Sequence, residues 1–225
     1  MNTHTIAPRI FGIFFLISFL SYGIGSGLVE SVVNVPNFLS TISNNQSTII
    51  VGILLMTIIH TIVNIGLAVI MHPILKTFNS SISYGYLSAT ITSTVIVAIG
   101  GLFLLLLLPL SDAYVRLVAS DASNLNTIGF LLKKAGFYSY QIGMAIWGVG
   151  GWLLCSLLYK SKLVPRLITI CGFIGYIIFI AGTILELFGY NVGVIMSIPA
   201  ALFEISLSIW LIVKGFNISQ LIALD

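Results

Sequence analysis

Charge is the scarcest commodity in this 225-residue chain: Asp, Glu, Lys and Arg make up 7% of it, against 58% hydrophobic residues. So little polar surface cannot coat a water-soluble globule of this size, which excludes an ordinary soluble domain. Histidine is nearly missing, with three in all. His60 and His72 lie about 18 Å apart along a helix rising 1.5 Å per residue, too far to share one metal, and there is no HExxH pair. The two cysteines, Cys155 and Cys171, sit inside apolar runs where a thiol acts as a small hydrophobe, so they build neither a disulfide framework nor a metal knuckle. Basic residues fall at the ends of apolar runs and form no cluster able to track phosphates, which argues against nucleic acid as a partner. A GxSxG signature is also lacking, and a carboxylate dyad of Glu186 and Glu204 would need two groups at different depths to meet. The expectation is a protein that is not an enzyme and carries no cofactor and no metal.

What is present is hydrophobic length. About 20 apolar residues cross roughly 30 Å of hydrocarbon, and six stretches qualify: about Ile10–Val29, Thr48–Met71, Tyr84–Leu110, Ala135–Tyr159, Leu167–Phe188 and Val192–Val213. The fold class expected is all-α, an integral membrane bundle of six transmembrane helices filling a single domain, residues 1–225. The first stretch follows Arg9 and loosely resembles a secretory signal, but it continues past Gly27, beyond the usual length of about 7–15 residues, and reads as a retained span. Between spans, Glu30–Ser47 reads as a connection, as does Ser111–Lys134, in which Ala113–Val118 has the pattern of a short interfacial helix. Counting Lys and Arg by side gives Arg9, Lys76, Lys160, Lys162, Arg166 and Lys214 against Arg116, Lys133 and Lys134. The excess of positive charge places both termini in the cytoplasm and the chain in the cell membrane.

Polar side chains far from a helix end are the informative ones, because lipid makes them costly to keep. Glu204 lies near the middle of span six, where an acid costs about 2.5–3.5 kcal/mol on insertion scales. At 100° per residue, Ser197, Ala201 and Ser208 share its face, so that face should point into the bundle. His60 is at a similar depth in span two, with Thr57, Thr61 and Asn64 nearby on the helix surface. One reading joins His60 and Glu204 as a proton- or ion-responsive pair, with Asn64 and Ser208 completing a polar midplane site. The plainer reading is hydrogen bonding between helices that holds the bundle together. Glu186, near the outer end of span five, and Gln141 in span four are secondary candidates. Gly172, Gly175 and Gly182 in span five suit close helix approach, as does Gly23-x-x-x-Gly27 in span one.

Three stretches carry a family resemblance: Arg9-Ile10-Phe11-Gly12-Ile13 at the start, Tyr159-Lys160-Ser161-Lys162-Leu163-Val164-Pro165-Arg166 between spans four and five, and Pro199 through Glu204, Leu207, Trp210-Leu211 and Lys214-Gly215 at the end. In their order and their places relative to the spans they resemble the prokaryotic membrane family called domain of unknown function 4386, over roughly Arg9 to Gly215. The resemblance implies a six-span membrane protein with no assigned reaction or ligand.

Two functions are expected from these readings. One is a non-catalytic membrane component for sensing, scaffolding or assembly, with membrane lipids around it and a second copy or another membrane protein as partner. The other is a small channel- or transporter-like protein with a polar site around Glu204 and His60, for which Pro199 loosening span six one turn earlier is the favourable feature.

Overall fold

The structure, a computed structural model, describes residues 3–116 and 122–217. Among them every regular element is helical: α1 Thr3–Val33, α2 Phe38–Asn44, α3 Gln46–Leu54, a π-helical turn Leu55–Ile59, α4 His60–Leu75, α5 Ser80–Leu105, α6 Leu107–Arg116, α7 Ala122–Ser161, α8 Arg166–Leu187 and α9 Gly193–Val213. Six stretches are long and apolar enough to cross a bilayer: Ile6–Val33, Gln46–Leu75, Ser80–Arg116, Ser123–Ser161, Arg166–Leu187 and Gly193–Val213. Large aliphatic side chains face outward, Leu167 at 73% and Val194 at 82% exposure, while Asn64, Ser83 and Ser208 are fully enclosed. That inversion of the soluble pattern is what lipid as solvent selects.

Glycines decide which helices meet. Gly25 in α1 and Gly52 in α3 press on each other's carbonyl oxygens, so a Cβ at either would come within 2.8 Å of backbone. Gly12 lies under Ser208 of α9 and Gly66 of α4 under Phe14, which puts α1 between span two and span six. Gly172, Gly175 and Gly182 of α8 receive Phe203, Pro199 and Met196 of α9. By contrast Gly23 and Gly27, the GxxxG of span one, face open space. The contact glycine of that helix is Gly25, between them.

Both connections contain helix, the first where none was expected and the second more than the short interfacial stretch. α1 runs to Val33, and Phe38–Asn44 then forms a short helix whose Leu39 and Ile42 are buried under α6 and the end of α1. α7 starts at Ala122, about three and a half turns before Ala135, and the added stretch touches the rest of the bundle through Gly129, which meets Phe38, and through Lys133. Lys133 donates to the Val33 carbonyl and lies over the Phe38 ring, and Lys134 stands between Phe130 and Phe137. The expected interfacial helix Ala113–Val118 is instead the second half of α6, packed against α2; Leu117 and Val118 lie outside the described residues. The break at Leu106 follows from Pro109, which has no N–H to give the Leu105 carbonyl. At the start of span three, Asn79 caps α5 by accepting from the Ile82 N–H at 2.9 Å, so the helix begins at Ser80, four residues before the expected boundary at Tyr84.

Candidate functional site

Two polar clusters occupy the middle of the bundle, one on each side of α1. The first centres on Glu204. α9 runs 21 residues from Gly193, and Glu204 falls close to its midpoint. Its carboxylate oxygen Oε1 accepts from the indole Nε1 of Trp147 on α7 at 3.0 Å and from the hydroxyl of Tyr176 on α8 at 2.8 Å. Three spans are thereby bolted at one oxygen. Tyr176 is wholly buried, its ring edge against Phe203 with centroids 5.6 Å apart, and it lies flat on Gly151, where a Cβ would come within 2.1 Å of the ring. Only glycine lets the ring sit there. Beside this bolt lies a crevice of about 200 Å³ lined by Phe15, Tyr86, Thr90, Trp147 and Tyr176, too narrow to admit a water-sized sphere. The hydroxyls of Thr90 and of Ser93 on the same helix are buried with no hydrogen-bond partner among the described residues.

The second cluster joins α1 to α4. Ser18 Oγ donates to Asn64 Oδ1 at 2.8 Å and lies 3.2 Å from His60 Nδ1, which is also 3.2 Å from the Ser18 carbonyl. Because the single hydroxyl proton goes to Asn64, Nδ1 must carry the hydrogen of the imidazole and donate it to Ser18. His60 also faces the Tyr22 ring at 5.2 Å, and Tyr22 stacks on Tyr140 of α7 at 5.2 Å. The amide nitrogen of Asn64 is buried and meets no acceptor among the described residues. The His60 N–H bonds to the Leu55 carbonyl five residues back, closing the π-helical turn.

The structure thus brings His60 and Asn64 together through Ser18, but gives Glu204 different partners. No hydrogen bond links His60 with Glu204; α1 stands between their helices, with Phe15 in contact with Trp147 at 6.1 Å between ring centroids. The pair expected from depth alone fails because equal depth says nothing about which helices are neighbours. Ser208 is buried beneath Gly12, and its hydroxyl returns to the Glu204 backbone carbonyl at 2.7 Å. Ser197 likewise bonds back, to Val194. Glu186 accepts from the Gly193 N–H at 2.7 Å and so caps the start of α9. Gln141 is buried at 6% exposure and makes no side-chain hydrogen bond among the described residues. No group of three or more His, Cys, Asp or Glu suited to a metal occurs among the described residues.

Sequence reasoning missed Ser18, Trp147 and Tyr176. A signal existed for the last two: an indole and a phenol near the middle of a span need a polar partner, whereas at the span ends they would have water.

Six lipid-length helices with polar side chains turned inward define a polytopic α-helical membrane protein. More narrowly, residues 10–215 match the model of the family described as "Domain of unknown function (DUF4386)", and the chain belongs to that family. No curated protein and no solved structure matches it.

Proposed function

We propose that the chain is a non-catalytic component of the cell membrane, a scaffold whose buried polar groups hold six spans in one arrangement. The observation that carries this reading is the way the half-buried Glu204 is held: aromatic donors on two other helices meet its Oε1, and the crevice beside those two donors is too narrow for water. A group committed in this way fastens helices, and interhelical hydrogen bonds in lipid contribute about 0.6 kcal/mol each on average, up to about 1.7. The excess of Lys and Arg at the end where Pro8 meets Gly215 supports a cytoplasmic placement of that end.

The test is reconstitution of the parent and of Glu204→Gln in liposomes, comparing thermal unfolding, oligomer size and proton or solute flux. The scaffold reading expects a lowered unfolding midpoint and no flux from either protein. Flux in the parent that disappears in a folded Glu204→Gln protein overturns it.

A second reading, a small transporter-like protein with its polar site at His60 and Asn64, is favoured by one observation: the buried Asn64 amide lacks an acceptor next to a π-helical turn, a feature that often accompanies function. Solute flux abolished by Asn64→Leu, with Glu204→Gln still active, would select it.

A further inference from the structure

The end of the bundle that holds residues 162–166 and 210–217 carries an open pocket of about 500 Å³, within the size range of small-ligand sites. Lys162, Arg166 and Lys214 line it, with Trp210, Leu163 and Phe216 as its apolar wall. We propose that this pocket binds the phosphate headgroup of an anionic phospholipid.

The pocket is built rather than incidental. Leu163 and Phe216 are buried, at 0% and 5% exposure, and the Asn217 N–H donates to the Leu163 carbonyl at 2.9 Å, tying the segment after α9 to the turn before α8. Lys162 holds a left-handed backbone, φ 55°, which turns the chain between α7 and α8. The Arg166 guanidinium lies over the Tyr159 ring at 5.1 Å, which limits where its charge can go. Among the described residues none of the three cations is paired with a carboxylate.

Charge complementarity names the ligand class. Arg9, Lys76, Lys160, Lys162, Arg166 and Lys214 all lie at this end, whereas Glu30, Asp112 and Glu186 lie at the other and Glu204 is midway along α9. Among the described residues this end therefore has cations and no carboxylate. Location separates a lipid from a free anion. Leu167 and Val213, 73% and 63% exposed, follow Arg166 and precede Lys214, so apolar walls lead from the basic mouth along the bundle where acyl chains run. Trp210 at the pocket wall has the amphipathic ring that suits headgroup depth.

The experiment is native mass spectrometry of the full chain in detergent, titrated with phosphatidylglycerol or phosphatidylcholine. The expected result is a preference for one phosphatidylglycerol of at least about tenfold, lost in the triple variant Lys162→Gln, Arg166→Gln, Lys214→Gln. It should persist in Arg9→Gln, Lys76→Gln, Lys160→Gln, which removes the same charge from the same end outside the pocket. Equal loss in both triples would mean diffuse surface charge and overturn the proposal, as would no loss in the pocket triple. Displacement of phosphatidylglycerol by millimolar inorganic phosphate would overturn the lipid assignment. If the pocket triple shows no thermal unfolding transition, Lys214→Gln read against Lys160→Gln makes the same comparison with one charge.

Discussion

Helix α1 has a polar neighbour on each flank, and the two are satisfied to different degrees. Towards α7, α8 and α9, one carboxylate oxygen of Glu204 is met by two donors mounted on aromatic rings. Towards α4, the one hydroxyl of Ser18 serves both Asn64 and His60, and the Asn64 amide is left over. An acceptor with spare lone pairs gathers donors from several helices at once, whereas a hydroxyl has one proton to give. The Glu204 flank therefore fixes three spans, and the Ser18 flank ties two with a polar group unspent.

Five substitutions, in three experiments, break or sharpen that contrast. The largest effect is expected from Gly151→Ala, whose methyl would overlap the Tyr176 ring and lift it from Glu204. Overpacking at a fully buried ring costs about 1–3 kcal/mol or more, read as a lower thermal unfolding midpoint in detergent. An unchanged midpoint would mean the ring is not held. Next comes Glu204→Leu set against Asn64→Leu. The first strands an indole and a phenol inside the bundle and should cost about 1–3 kcal/mol, while the second removes an amide whose nitrogen has no partner and should cost under about 1 kcal/mol. Equal losses would erase the difference between the flanks. The smallest effect belongs to Tyr176→Phe and Trp147→Phe, about 0.6 kcal/mol each. Combined in a double-mutant cycle, they should lose less or more than the sum, since both donors share Oε1; strict additivity would show that the oxygen is not shared in the folded protein.

The architecture was legible in the sequence wherever hydrophobic length alone decided it, as in the two final spans, Arg166–Leu187 and Gly193–Val213, whose ends lie within one residue of those expected. It was not legible where helix continues beyond the apolar run. The stretch from Ser123 to Lys134 is too polar to read as span, and the contact Lys133 makes from it, with Val33, lies across 100 residues of chain. The candidate residues divide the same way. Glu204 and His60 announce themselves by the cost of burying them, yet their partners depend on which helices are adjacent, and that is set by Gly12, Gly25, Gly52 and Gly66, small residues without a periodic signature.

The extra residue wound into Leu55–Ile59 has a geometric consequence for span two. In a uniform helix of 100° per residue, Ile59 and Val63 would lie in line with Gly52; with one residue absorbed by the wide turn, His60 and Asn64 take those places, within about 20° of it. The turn acts as a phase shifter, letting one strip of span two offer a glycine to Gly25 and then two polar groups to Ser18. It follows that removing a single residue between Leu55 and Ile59 should leave the fold intact, whereas removing Ile62, just after it, would turn Asn64 about 100° away from Ser18 into the place Val63 holds.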